Sequence, residues 1–201
     1  MSRPREFDVD RALQQSMEVF WERGFKSTSY EDLTRTTQVK KQSLYCVFKD
    51  KRELFLKALA LYRKRSIAML EEVASREASP LEKLEAICGS MLHQKDETLR
   101  RGCLMVNSAL EFGEDDREVN REVNREVTLM SDQVKGILEK IIRDGQKQGF
   151  ITARESSKEL AVYLNNVLVG AKVMEKAGAS REQIEAVLRT SFALIISENT
   201  R

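Results

Sequence analysis

The stretch SYEDLTRTTQVKKQSLYCVFKDKRE, Ser29 to Glu53, decides the fold. Ser29 is a good helix N-cap, and Tyr30 and Leu33 stand three apart on one helical face. That helix is short and is expected to end between Thr36 and Gln38. A second short helix is predicted from about Lys40 to Phe48, with Leu44 and Phe48 four apart on its inner side. Asp50 then caps a third helix, and Glu53 completes a capping box. Two short helices joined by a tight turn form a helix-turn-helix, the unit that lays its second helix in the major groove of DNA.

The polar residues of the second helix suit that role. Lys40, Lys41, Gln42 and Ser43 lie at its N-terminal end, the end that meets base edges. Lysine pairs with guanine O6/N7, glutamine with adenine, and serine with either, while Tyr45 can donate to a phosphate. From Gln38 to Arg52 five cations (Lys40, Lys41, Lys49, Lys51, Arg52) face one anion (Asp50), a local +4 in a chain whose total is +2. A solvated charged turn would show the lysines too, but not an amide, a hydroxyl and an aromatic ring between them at helical spacing.

The run Thr28-Ser-Tyr-Glu-Asp-Leu33, followed by Val39-Lys-Lys-Gln-Ser-Leu-Tyr-Cys-Val-Phe-Lys-Asp-Lys-Arg-Glu-Leu-Phe55, resembles the head of the TetR family of bacterial transcriptional regulators. The specific part covers about fifty N-terminal residues. The resemblance implies that Leu44, Tyr45 and Phe48 belong to the recognition helix and that Lys51 anchors a phosphate. It also implies a dimer built on four helices, two from each subunit. The chain departs from the family pattern at three positions. Gln38 stands where the family often has Gly, Lys40 where it has Ser or Thr, and Val47 where it has Tyr or His. Lys40 cannot cap the helix as Ser does, and Val47 offers only apolar contact with a thymine methyl. The candidate DNA contacts are Thr28, Ser29, Lys40, Lys41, Gln42, Ser43, Tyr45, Cys46, Lys49 and Lys51.

Composition sets the frame. At 201 residues, 41% hydrophobic and 33% charged, the chain can bury a sizeable core as one or two domains. Two prolines and nine glycines leave long stretches unbroken, which favours an all-α fold. The N-terminus, MSRPREFDVDR, lacks the apolar region of a signal peptide, and no run reaches the ~18 apolar residues of a membrane span. Three unclustered cysteines, Cys46, Cys88 and Cys103, read as free thiols in a reducing cytoplasm. One histidine, His93, and no Cys/His clustering argue against a metal, and no cofactor is expected. Residues 1–51 hold ten Lys+Arg and eight Asp+Glu, leaving 24 of each for residues 52–201. A basic head on a neutral body suits one polyanion-binding end.

About nine helices are expected, in a three-helix head over residues 1–50 and a helical ligand-binding and dimerisation domain over 51–201. The basic arm Met1–Phe7, with Arg3 and Arg5, reads as a frayed terminus. The first helix runs from about Asp8 to Arg23, with Val9, Leu13, Met17 and Phe20 inside, and Gly24 stops it. Trp21 reads as core. A long helix from about Asp50 to Ala78 links the two domains. Ser79 and Pro80 start another, which ends before Arg100. A short helix follows over about Cys103 to Phe112, Gly113 breaks it, and Glu114 to Asp116 suit a helix start. The repeat REVNREVNREV, Arg117 to Val127, reads as a solvated helix face, with Val119, Val123 and Val127 beneath. Gly149 ends that helix and Ile151–Glu155 connects onward. Ser156 or Ser157 caps the next helix, which runs to Gly178, and Ser180 with Gln183 caps the last. The last two helices carry wide apolar stripes, more than one core contact needs. Leu160, Leu164, Leu168, Ala171, Ile184, Val187, Leu188, Phe192 and Ile195 are the expected dimer contacts.

The function these readings support is a homodimeric, one-component transcriptional regulator, a repressor of a palindromic double-stranded operator. It is released by a small, mostly apolar ligand held between the helices of Leu81 to Ile142. Candidate lining residues are Cys88, Met91, Leu92, Cys103, Met105, Val106, Asn107 and Tyr163. An alternative signal is oxidation or alkylation of Cys103. A helix N-terminus and the neighbouring Arg100 and Arg101 favour the thiolate there. A helical-bundle enzyme or carrier is the competing class, but no Gly-rich phosphate loop, metal-ligand spacing or nucleophile elbow occurs, and nothing marks a partner for His93 as a base. A protein-docking adaptor would not need Lys, Gln, Ser and Tyr at one helix end.

Overall fold

The computed structural model describes residues 7–92, 101–112 and 117–197, and among them all regular structure is helical. Nine helices lie among the described residues: α1 Val9–Arg23, α2 Tyr30–Thr37, α3 Lys41–Phe48, α4 Lys51–Ser75, α5 Pro80–Leu92, α6 Leu104–Glu111, α7 Arg117–Lys147, α8 Ser157–Lys176 and α9 Arg181–Ile195. Met1 to Glu6 of the N-terminal arm, His93, Arg100 and Gly113 to Asp116 lie outside the described residues, as do the side chains of Met91 and Leu92.

The starts of these helices follow from short polar signals. Ser29, Ser156 and Ser180 each accept the N3 backbone N–H, and Asp32, Glu159 and Gln183 reach back to the cap amide. Ser79 and Glu82 do the same before α5, with Ser79 N–H donating to Glu82 at 2.7 Å. Each box satisfies amides that a helix start leaves unpaired. Helix α4 stops at Ser75, three residues short of the expected Ala78. The Ser75 hydroxyl turns back onto the Glu72 carbonyl at 2.8 Å, and the residue before Pro80 must leave the helical region.

The chain folds into two compact units: the described parts of Met1–Arg65 with Cys103–Val127, and of Ser66–Gly102 with Thr128–Arg201. The first unit holds the helix-turn-helix. Its core gathers Phe20, Leu33, Leu44, Phe48, Leu54, Phe55 and Leu59, all at most 2% exposed, with Leu104, Met105, Phe112, Val119 and Val123 from later in the chain. Phe20, Phe25, Phe55 and Phe112 form a ring cluster, with Phe112 centred 5.3 Å from Phe25 and 5.8 Å from Phe55. Trp21 is half-buried and stacks edge-on against Tyr62 at 5.1 Å.

The valine repeat belongs to this unit, and its face is not simply solvated. Val119 and Val123 are buried. Arg52 of α4 donates to Glu122 at 2.6 Å, and Arg63 to Glu126 at 2.9 Å. The second pair is about four-fifths buried on both sides. The glutamates of the repeat stand four apart so that two of them meet arginines three turns apart on α4.

The second unit packs Ile67, Leu84, Ile87, Cys88, Leu138, Ile142, Leu164, Leu168, Ile184 and Leu188 into one core. Two extended residues close it, where Ile151 pairs antiparallel with Ile196. The expected dimer face needs correction here. Leu160, Leu164, Leu168, Ala171, Ile184, Leu188 and Ile195 are at most 7% exposed within the subunit, and Phe192 packs against the same core. Of the residues expected at the dimer, only Val187, 49% exposed, is free to meet a partner. The outward face of the same two helices carries Val162, Tyr163, Val169, Val173, Met174 and Leu194. The stripe is wide because it has two sides, one packed inside the subunit and one exposed.

Candidate nucleic-acid interface

Helix α2 is held at its start by a dense polar cluster. Asp32 accepts from the Ser29 amide at 2.9 Å and from its hydroxyl at 2.6 Å, while its other oxygen takes Arg23 at 2.6 Å and Arg35 at 2.8 Å. The hydrogen bonds from Ser29, and then the two guanidiniums, hold the Asp32 carboxyl below the usual carboxylate range. At the other end Gln38 takes the left-handed conformation, φ 56° and ψ 22°. The family-type glycine at this position has a physical reason, which Gln38 meets under mild strain.

Helix α3 follows with Lys40 as N-cap, and no side chain caps it. Its first-turn amides are therefore open to an anion. Leu44 and Phe48 are buried, while Lys40, Lys41, Gln42, Cys46, Val47 and Lys49 are exposed and Ser43 and Tyr45 half-buried. The helix ends in a three-residue turn. Lys49 has φ 67° and ψ −60°, and the Asp50 amide donates to the Phe48 carbonyl at 2.8 Å. This γ-turn is a strained form, and it carries an exposed cation.

The structure brings Lys41, Gln42, Tyr45 and Lys49 around one open depression together with Tyr30 and Asp50. Tyr30 stands three residues before Leu33 on α2, yet it is 42% exposed while Leu33 is 0%. Its ring meets Tyr45 edge-on at 5.0 Å and lies 4.3 Å beneath the Lys41 ammonium. An aromatic ring with a polar tip directly after an N-cap was the available signal. The Tyr45 hydroxyl is buried without a hydrogen-bond partner. Burial, and then the Tyr30 and Asp50 charges, push its phenol upward, so it stays a proton donor at working pH.

Two expected contacts are placed elsewhere. Thr28 is 1% exposed, and its hydroxyl donates to the Gly24 carbonyl at 2.5 Å. Its job is to close the turn between α1 and α2. Lys51 donates to the carbonyls of Phe25 and Thr28, both at 2.9 Å, with its ammonium 4.3 Å from the Phe25 ring. Burial lowers its pKa and the nearby Glu111 carboxylate opposes that shift. Two of its three N–H donors are engaged, which leaves one. Ser29 is exposed, but its hydroxyl is committed to the capping box.

The residues expected at a ligand are spread over both units. Cys88 and Tyr163 lie in the second, and Cys103, Met105, Val106 and Asn107 in the first. Cys88 is 5% exposed, and burial and then Glu85 push its thiol up to about 12. Tyr163 is 37% exposed and bonded to the Ser191 hydroxyl at 3.2 Å, on the outward side of α8 rather than in the core. Met105 is buried, while Val106 and Asn107 are half-buried. Cys103, half-buried at the N-cap of α6, receives the Tyr62 hydroxyl at 3.6 Å. Among the described residues no group of His, Cys, Asp and Glu is arranged to hold a metal, and no helix is long and apolar enough to cross a membrane.

Comparison with known proteins agrees with this geometry. Residues 12–58 match the family model described as bacterial regulatory proteins, tetR family, and residues 80–191 match a tetracyclin repressor-like C-terminal domain. The chain is 29% identical to the HTH-type transcriptional repressor ComR of Escherichia coli (strain K12), covering 96% of this chain and 90% of that one. It is also similar to a solved cysteine mutant of CifR, a TetR family transcriptional regulator bound to 26bp double-strand operator DNA. That likeness has a TM-score of 0.81 at 29% identity, over 96% of this chain and 100% of that chain. A TetR family regulator from Agrobacterium tumefaciens shares the fold, with a TM-score of 0.82 at 21% identity over 94% and 97% of the two chains. With its second domain matched over more than half its length and its helix-turn-helix matched as well, the chain belongs to the TetR family of bacterial transcriptional regulators.

Proposed function

We propose that this regulator is a cytoplasmic homodimeric repressor that reads a palindromic operator with α3 in the major groove and releases it when the helical body binds a small, mostly apolar ligand. The reading is carried by the exposed face of α3. Lys41 and Gln42 present a cation and an amide on the exposed side of this eight-residue helix, Lys49 adds a second cation in the turn that follows it, and the Tyr45 ring lines the same depression with its hydroxyl buried. The similarity to ComR, a repressor, and to CifR bound to operator DNA supports repression through an operator. Gln42 stands nearest the base edges and Lys40, Lys41 and Lys49 serve the phosphates, with Lys41 and Ser43 also within reach of bases. Lys51 chiefly positions the turn before α2 and offers one remaining N–H to the backbone of DNA.

The test is selection of duplexes from a random pool, followed by affinity measurements on the selected duplex and on a mixed-sequence one. Gln42→Ala should relax discrimination by about 1–3 kcal/mol at particular base pairs. Equal losses on both duplexes would remove Gln42 from base reading. A second reading of the signal rests on Cys103. Its sulfur sits half-buried at a helix N-terminus, in contact with a phenol, and modification there would act where a reversible ligand otherwise does. A Cys103→Ser chain that still releases the selected duplex on treatment with a mild electrophile would leave the reversible ligand as the signal.

A further inference from the structure

The turn between α1 and α2 is gripped from both sides by residues distant in sequence. Glu111, the last residue of α6, points one carboxylate oxygen at the Phe25 amide, 2.8 Å away, and the other at the Lys26 amide, 2.5 Å away. Two consecutive amides converging on one anion form a small nest. Gly24 makes this possible. Its φ is +80°, and a Cβ there would lie 2.9 Å from both Glu111 oxygens. On the carbonyl side, Lys51 takes Phe25 and Thr28, and the Thr28 hydroxyl takes Gly24. Phe112, next to Glu111, is seated on Phe25 and Phe55, so the end of α6 is anchored in the same core. The turn leads directly into the Ser29 cap of α2, and Tyr30, the first residue of α2, carries Lys41 and Tyr45 of the reading face.

We propose that Glu111 is a positioning residue for DNA recognition: by holding the Phe25 and Lys26 amides it sets the turn that starts α2, and through Tyr30 it sets where Lys41 and Tyr45 stand. Glu111 makes no contact with DNA in this scheme. Electrostatics alone assigns the opposite consequence, because a carboxylate in the head repels a polyanion and its removal should tighten binding. The sign of the effect therefore separates the two.

The inference rests on the head being the DNA reader, and the experiment separates the two ideas. The full-length chain selects a duplex from a random pool, and the affinities of wild type, Glu111→Gln and Glu22→Gln are then compared on the selected and on a mixed-sequence duplex. Glu22 is an exposed acid of α1 in the same unit and controls for the lost charge. Glutamine keeps the shape but sets an amide donor against one of the two backbone donors. Glu111→Gln should weaken the selected duplex tenfold or more and change the mixed-sequence duplex less than twofold, with an unchanged salt slope. Glu22→Gln should weaken neither. Agreement of the two variants within twofold on the selected duplex overturns the proposal. A wild type that selects no sequence would instead undo the DNA-reading role itself. Should Glu111→Gln not fold, hydrogen exchange of the wild type decides: protected Phe25 and Lys26 amides support the grip, and exchange at the rate of an unstructured chain overturns it.

Discussion

Gln38 and Lys49 are the two described non-glycine residues at positive φ. Gln38 ends α2 in the left-handed region, where a Cβ is crowded by the following carbonyl. Its side chain partly compensates by donating to the Arg35 carbonyl. Gln38→Gly should therefore stabilise the fold by about 0.5 kcal/mol, the relief of strain exceeding the extra chain entropy that glycine loses. A denaturant midpoint that falls, at unchanged slope, would contradict this. The cysteines make a second prediction. Cys88 is buried among apolar side chains and its thiol ionises only toward about 12, while Cys46 is exposed and Cys103 half-buried. A disulfide reagent at pH 8 should label Cys46 and Cys103 in the folded chain and reach Cys88 only after denaturation. Sign and pH agree here: burial favours the neutral thiol, so the contribution of Cys88 to stability is full below the ordinary thiol pKa and fades as pH climbs toward about 12. Simultaneous labelling of all three thiols would show that the core around Cys88 opens readily.

Among the elements, α8 and α9 have two apolar faces with different fates. Leu168 is 7% exposed inside the subunit, whereas Val169, one residue on, is 41% exposed. Val169→Glu should leave the subunit folded and shift sedimentation from dimer to monomer. Leu168→Glu should unfold the second unit, because it buries a charge without a partner. A Val169→Glu chain that stays dimeric at micromolar concentration would move the interface off these helices. Sequence alone did not separate these faces: hydrophobic periodicity marks an apolar stripe but not which half meets the subunit and which half meets a partner. The capped starts were legible, because Ser29, Ser156 and Ser180 act within three residues of themselves. The charged repeat was less legible. Arg52 and Glu122 lie 70 residues apart, and Arg63 and Glu126 lie 63 apart, so nothing local distinguished ion-pairing glutamates from solvated ones. The helix-turn-helix was readable to within a residue or two, but the burial of Thr28 and the commitment of Lys51 to two carbonyls depend on the Gly24 turn.

At the scale of the whole molecule, charge is nearly balanced, +2 over 201 residues, yet concentrated in the head. Binding governed by net charge would respond weakly to salt, whereas binding governed by a local basic face responds strongly. Lys40, Lys41 and Lys49 are exposed on or beside α3, giving six such cations in a dimer. If each neutralises one phosphate, the slope of log affinity against log salt is about −5, so a fourfold rise in salt weakens binding about a thousandfold. Both heads contribute only if their α3 helices reach successive major grooves, which requires half-site centres about 34–36 Å apart. Lys49→Ala should then make the slope shallower by about two units for the dimer and weaken selected and mixed sequences alike. Lengthening the spacing of a selected operator by five base pairs turns one half-site to the opposite side of the duplex, and it should reduce the slope to that of a single head. A slope shallower than about −2 on the selected operator would mean that these three lysines do not meet the phosphates. The first turn of α3 would then have to recognise DNA chiefly through Gln42 and Ser43. A slope that survived the five-base-pair insertion would separate the two heads from any fixed symmetry, and with it the requirement for a palindrome.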